Sequence, residues 1–161
     1  MRTVKFAAVL SVFVVFFFSG SLMAQQMPNP YGPNMNLAAA KQVALAAAQE
    51  AVKLGINVAI AVVDTGGNLL YLERFDVVQW GSNDVAIHKA KCSVAYKRPT
   101  KALEDVILKG NMSYLTLDGI SAIEGGQPII EKGKIVGAIG VSGGSSAQDG
   151  AVARAGAAVI K

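Results

Sequence analysis

A predicted β-hairpin is the feature that most limits how this chain can fold. Residues 56–63 are apolar and rich in β-branched side chains, and residues 69–75 alternate loosely between apolar and polar side chains. The intervening residues 64–68, with the sequence DTGGN, have the composition of a turn. Because a hairpin joins antiparallel neighbours, we expect an antiparallel or mixed sheet rather than a doubly wound parallel one.

Four helices and two more short strands are predicted around this hairpin. Capping and stop residues mark the helix ends: Asn36, Gly55, Ser82, Pro99 and Ser145. The predicted helices cover residues 37–54, 82–97, 100–109 and 145 to the C-terminus, and the strands cover residues 127–130 and 134–141. Because the first and last helices are rich in alanine and glycine, we expect them to pack closely together on one face of the sheet.

Residues 1–24 have the pattern of a cleavable signal peptide. Arg2 and Lys5 precede an apolar stretch from Ala7 to Phe18, and the predicted cleavage site follows Ala24. The apolar stretch would rise only about 18 Å as a helix, less than the roughly 30 Å of a bilayer core. The sequence therefore predicts a periplasmic or secreted protein with no membrane span after cleavage.

The charge of the mature chain argues against a nucleic-acid partner. The whole sequence has 15 Lys and Arg against 11 Asp and Glu, and cleavage would remove Arg2 and Lys5. The remaining net charge of about +2 includes no basic run that could follow a phosphate backbone.

The mature chain is expected to consist of an arm and one domain. Residues 25–36 contain three prolines and no hydrophobic periodicity, which predicts a flexible N-terminal arm. Residues 37–161 are long enough for one domain with its own core. Cys92 is the one cysteine, so an internal disulfide is excluded, and we expect its side chain to be buried or to contact a ligand.

His88 is the one histidine of the chain, which excludes multi-histidine metal sites. It lies about 160° around the second helix from Ala90, which belongs to the stripe expected to face the sheet. Cys92 and Tyr96 follow at one-turn spacing, and Lys89 is assigned to the same outer face. This face could supply an axial imidazole to a haem, with Cys92 or Tyr96 beside the iron and cationic side chains on the propionates. The alternatives are an ordinary subunit interface and a solvent-exposed histidine that binds nothing.

A second candidate site lies where a Gly/Ser-rich turn opens the last helix. Backbone N–H groups and the helix dipole favour a carboxylate or phosphate at such a position. The alternative is a tight strand-to-helix turn that binds nothing, because no lysine accompanies it. The residues of this candidate site are Ser142, Gly143, Gly144, Ser145 and Asp149. No acidic pair has the spacing of a catalytic dyad, so no catalytic residue is assigned.

Four segments resemble the GlcG/HbpS-type haem-binding family, which is itself similar to the C-terminal domain of PduO-type corrinoid adenosyltransferases. They are residues 59–69 (AIAVVDTGGNL), 82–90 (SNDVAIHKA), 98–100 (RPT) and 136–149, which contain VGAIGVSGG and QD. The resemblance covers roughly residues 36–161. The chain departs from the family pattern after the second predicted strand, where Asp76 and Val77 replace an acidic-Gly pair.

The resemblance implies a three-layer α/β/α domain with a mainly antiparallel central sheet, assembly into a homo-oligomer and, for some members, haem binding. We therefore expect an exported, oligomeric haem- or tetrapyrrole-binding protein with His88 as the candidate iron ligand, rather than an enzyme. Two alternatives stay open. One is a binder or enzyme for a small carboxylate or phosphorylated metabolite at residues 142–146, and the other is a non-catalytic assembly protein.

Overall fold

A computed structural model describes residues 28–161 of the chain. The predicted signal peptide, residues 1–24, lies outside the described residues, as do residues 25–27 of the predicted arm. No helix within residues 28–161 has both the length and the apolar composition needed to span a membrane. The described elements are α1 Leu37–Lys53, β1 Ala59–Val63, β2 Leu69–Arg74, α2 Gly81–Ala95, α3 Thr100–Leu108, a 3₁₀ helix Met112–Thr116, β3 Gly126–Glu131, β4 Lys134–Ser142 and α4 Ser146–Ala157.

The four strands form one antiparallel sheet in the order β2-β1-β4-β3. The predicted hairpin is confirmed, since β1 pairs with β2 and places Ile60 opposite Glu73. β1 begins at Ala59, later than the predicted start at residue 56. The two central strands, β1 and β4, are buried along almost their whole length. Their continuous apolar sequences follow from this burial on both faces of the sheet.

Helices cover both faces of the sheet. α1 and α4 lie together on one face, as their small residues predicted. Their approach is close enough that a Cβ atom at Gly156 would come within 2.9 Å of the Val43 carbonyl oxygen. Along β1, Ile60 and Val62 belong to the core beneath α1 and α4, whereas residues 59, 61 and 63 pack against α2 on the other face. The alternation of side chains along β1 therefore builds two separate cores.

The predicted caps of the first and last helices are confirmed. The Asn36 side chain accepts a hydrogen bond from the Ala39 N–H group at the start of α1, and Gly55 follows that helix with φ +66°. Ser145 caps α4 and forms a reciprocal capping box with Gln148. These local signals position the ends of both helices.

The predicted N-cap of α2 is wrong. The helix begins at Gly81, so Ser82 lies in its first turn and is not the N-cap residue. Ser82 is fully buried, and its Oγ atom accepts a hydrogen bond from the Ser142 hydroxyl at 3.3 Å. The polar side chain that resembled a cap therefore joins α2 to the end of β4. The helix also ends earlier than predicted, at Ala95, because Lys97 adopts φ +53°.

The described part of the N-terminal arm is attached to the domain. The Pro30 carbonyl oxygen accepts a hydrogen bond from the Ile135 N–H group at 2.9 Å, and the Gly32 N–H group donates to the Ile135 carbonyl oxygen at 2.8 Å. The Tyr31 hydroxyl donates to the Val94 carbonyl oxygen, near the end of α2, at 2.8 Å. Residues 30–32 thus run beside β4 as an extended segment that contacts its own domain.

α2 approaches the sheet more closely than side chains would normally permit. A Cβ atom at Gly140 would lie 2.0 Å from the Ala86 carbonyl oxygen, and one at Gly126 would lie 2.4 Å from the Lys89 carbonyl oxygen. The α2 backbone therefore lies directly over glycines of β3 and β4. This contact fixes the distance between the helix and the sheet, and it limits rotation of the helix about its axis.

We predict that Gly140→Ala lowers the free energy of unfolding by about 1–3 kcal/mol or more, because the added methyl group must push α2 away from β4. Gly81→Ala is the matched control. Gly81 lies at the exposed start of α2 with open space around its Cα atom, so alanine there should be neutral or stabilising by up to about 1 kcal/mol. Urea denaturation measures both effects. Equal unfolding midpoints for wild type and Gly140→Ala would contradict the close contact.

Candidate functional site

His88 lies on the exposed side of α2, at the wall of an open cleft of about 410 Å³. Lys91, Gly119 and Ile120 line the same cleft. Residues 119 and 120 belong to the connection between the 3₁₀ helix and β3, so the cleft lies between α2 and this connection. The sequence prediction did not include these three lining residues. The i, i+3 spacing from His88 could have identified Lys91, but no local pattern brings residues 119–120 to α2.

The assignment of Lys89 to the outer face of α2 is wrong. The residue is only 1% exposed. The Nζ atom donates to the Val141 carbonyl oxygen at 3.0 Å and to Asp149 Oδ2 at 2.9 Å. One residue on a helix corresponds to a rotation of about 100°, which takes Lys89 away from His88 and toward the sheet. Lys89 is therefore unavailable to a ligand in the cleft.

Cys92 also points inward and does not face the cleft. It is 1% exposed, and its Sγ atom accepts a hydrogen bond from the Ser121 N–H group at 3.2 Å. Burial raises the pKa of the Cys92 thiol above its ordinary value. The side chain is therefore a protonated thiol near neutral pH, as expected for a buried cysteine and unlike a thiolate ligand.

Tyr96, like Cys92, forms a hydrogen bond to the connection between the 3₁₀ helix and β3. Its hydroxyl donates to the Asp118 carbonyl oxygen at 2.6 Å, and its ring lines a separate pocket with Arg98 and Tyr114. Cys92 and Tyr96 thus hold residues 118 and 121, which flank the two residues in the far wall of the His88 cleft. Cys92 or Tyr96 was predicted to lie beside the iron, and in the structure both side chains form hydrogen bonds to the connection that makes the wall opposite His88.

The Gly/Ser-rich turn forms as predicted, with Ser145 at its end as the cap of α4. The Gly144 N–H group donates to Asp149 Oδ1 at 2.9 Å, and the Ser145 N–H group donates to Gln148 Oε1 at 3.0 Å. Two donors that an external anion would need are therefore already used inside the protein. Gly143 lines a pocket of about 330 Å³ with residues 77–79, the segment in which the chain departs from the family pattern. A ligand role for this turn remains a prediction.

Lys89 and Asp149 connect the two predicted sites from inside the protein. The carboxylate binds the α2 lysine through one oxygen and the turn at Gly144 through the other. Burial raises the pKa of Asp149, whereas the Lys89 ammonium and the N–H groups of Gly143 and Gly144 act in the opposite direction. The carboxylate therefore depends on Lys89 to remain ionised in a nearly dry position. Sequence spacing could not predict this pair, because its partners are 60 residues apart.

A side-chain metal site has no support in the described part of the chain. Within residues 28–161, no group of three or more His, Cys, Asp and Glu side chains could hold a metal ion. His88 can still act as a single ligand to a metal that a cofactor already holds, as in haem proteins.

The fold and the cleft define a small α/β domain whose outer helix presents a histidine to solvent. Residues 35–158 match the family described as "Haem degrading protein HbpS-like", and the chain belongs to this family. The protein GlcG of Escherichia coli strain K12 is 38% identical over 103 residues, which cover 64% of this chain and 77% of GlcG. The family resemblance predicted from the four sequence segments is confirmed.

Solved structures of HbpS and of part of PduO are also similar to this chain. A double mutant of HbpS from Streptomyces reticuli superposes with a TM-score of 0.73 at 33% identity, covering 98% of this chain and 99% of that chain. The structure described as a PduOC–haem complex superposes with a TM-score of 0.70 at 29% identity, covering 80% of this chain and 96% of that chain. The predicted similarity to the C-terminal part of PduO is therefore also confirmed.

We predict that Lys89→Met lowers the free energy of unfolding by about 3–5 kcal/mol, because it leaves the Asp149 carboxylate buried without its cation. Combining Lys89→Met with Asp149→Asn should cost less than the sum of the two single changes, since the amide is neutral and can still accept from Gly144. Urea denaturation of the three variants measures this coupling.

The exposed pair Lys53–Glu50 provides a control for the Lys89 experiment. Its N···O distance is 3.0 Å, close to that of the buried pair, but the lysine side chain is 72% exposed. Lys53→Met should therefore change stability by less than about 1 kcal/mol. Equal effects of Lys53→Met and Lys89→Met would show that the buried pair has no special structural role.

Proposed function

We propose that this protein binds haem or a related tetrapyrrole in the cleft beside α2, with His88 as the iron ligand. The observation that carries the proposal is the position of His88, the one histidine of the sequence, which is exposed at the wall of this cleft. Membership of the HbpS-like family and the similarity to a PduOC–haem complex support the same ligand.

The residues of the cleft fit a haem. An exposed imidazole can offer a ring nitrogen to iron, Ile120 provides an apolar contact for the macrocycle, and Lys91 provides a positive charge. The volume of about 410 Å³ lies within the range of roughly 300–1,000 Å³ that is typical of ligand pockets. When bound, the haem would supply an electrophilic, redox-active iron, and His88, Lys91 and Ile120 would hold it.

We also propose that the protein is exported and forms a homo-oligomer. The pattern of residues 1–24 supports export. Assembly is supported by the open shape of the cleft and by exposed apolar side chains near the 3₁₀ helix, namely Leu108, Met112 and Leu115, each more than half exposed. A second subunit packed there would exclude water from these side chains and from a flat ligand nearby.

We predict that titration of the purified protein with hemin produces a Soret band and that His88→Ala removes it or shifts it strongly, because the imidazole that would bind the iron is lost. Added imidazole should restore the band of the variant. Lys41→Ala is the control for a surface substitution, since Lys41 is exposed on α1, on the other face of the sheet, and it should keep the wild-type band. An unchanged spectrum in His88→Ala excludes His88 as the ligand, and the absence of a Soret band in wild type overturns the haem proposal.

Export and assembly are tested by measurements that do not depend on haem binding. Mass spectrometry of protein recovered from the extracytoplasmic fraction should give a mature chain that begins at Gln25, and light scattering should give a multiple of the protomer mass. Retention of residues 1–24 in the cytoplasm would contradict export, and a monomer at micromolar concentration would contradict assembly.

A further inference from the structure

Lys91 lies between two neighbouring pockets on the outer side of the domain. One is the cleft that it lines with His88. The other, of about 280 Å³, lies between the C-terminal end of α2 and the hairpin turn of residues 65–68. A Cβ atom at Gly67 would be 3.7 Å from Lys91 Cγ, so the aliphatic part of the side chain passes close to the turn. Lys91 is exposed and lines both pockets.

The charge of Lys91 has no partner within the described residues. The cations that form salt bridges in residues 28–161 are Lys53, Lys89, Lys101 and Arg154. The other cations at this end of α2 already have contacts. Lys97 Nζ lies 4.2 Å from the centroid of the Tyr31 ring, and Arg98 Nε donates to the Tyr96 carbonyl oxygen at 3.0 Å.

The hairpin turn beside Lys91 uses its own donors internally. The N–H groups of Gly66 and Asn68 donate to Asp64 Oδ1 at 2.9 and 2.8 Å, and the Thr65 N–H group donates to Asn34 Oδ1 at 3.2 Å. The Asp64 carboxylate is directed into this turn and is 8% exposed. An acidic ligand reaching this side of the cleft would therefore meet Lys91 as its principal donor.

We infer that Lys91 binds a carboxylate of the tetrapyrrole and thereby fixes the orientation of the ring in the cleft. This inference rests on the proposed haem function and adds a residue that selects for acidic tetrapyrroles. Lys91 follows His88 by three residues, which corresponds to a rise of about 4.5 Å on the same side of the helix. A ring bound to His88 through its iron therefore has its carboxylate edge toward the C-terminal end of α2 and the hairpin turn.

The test compares hemin with hemin dimethyl ester, in which both carboxylates are masked. Binding is followed by Soret titration of wild type, Lys91→Gln and Lys91→Arg. Lys41→Gln is the control for loss of one positive charge, because Lys41 is exposed on α1, on the other face of the sheet.

Lys91→Gln should weaken hemin binding about ten- to a hundredfold, because a charge-assisted hydrogen bond to the carboxylate is lost. Binding of the dimethyl ester should not change. Lys91→Arg should restore most of the hemin affinity, and Lys41→Gln should retain all of it. The Soret maximum should stay the same in every variant, since His88 still binds the iron.

Two results would overturn the inference. Lys91→Gln could weaken the binding of hemin and of its ester equally, which would make Lys91 only a wall of the cleft. It could also leave the binding of both compounds unchanged. Failure of the haem function itself gives a different result. In that case wild type shows no His88-dependent Soret band with either compound, and both proposals are overturned.

Discussion

The buried ammonium group of Lys89 determines how α2 presents the rest of the candidate site. A charge removed from water must be compensated by partners inside the protein, and both partners of Lys89 belong to other elements: the Val141 carbonyl of β4 and the Asp149 carboxylate of α4. Because α2 and α4 lie on opposite faces of the sheet, the ion pair joins the two helical layers at the end of β4. Rotation of α2 would break it.

The glycines beneath α2 also restrict the position of this helix on the sheet. Gly126 and Gly140 let the helix backbone approach β3 and β4 directly, so the helix is fixed both in distance and in rotation. His88 is the residue before Lys89, and it is directed outward as a consequence. The far wall of its cleft is held by Cys92 and Tyr96, which bind the connection at residues 118–121. Residues with structural roles thus shape the cleft without facing it.

The sequence could predict those parts of the fold that depend on local signals. The hairpin turn and the Asn36 and Ser145 caps are local signals, and these three predictions are confirmed. The close packing of α1 against α4, which was predicted from their small residues, is also confirmed. The assignment of Lys89 failed for a physical reason. A lysine is normally solvated, and only a carboxylate from a distant element makes its burial favourable. The burial of Cys92 is one of its two expected outcomes, but the hydrogen-bond partners of Cys92 and Tyr96 could not be predicted, because they lie in an irregular connection without a periodic pattern.

A crystal structure of the protein with bound hemin tests the central claim most directly, namely that the outer face of α2, fixed by the buried Lys89, is the binding site. We expect the iron at a ring nitrogen of His88, the macrocycle against Ile120, and Lys89 still paired with Asp149. Hemin bound at the turn of residues 142–146, or bound beside α2 through a residue other than His88, would contradict it.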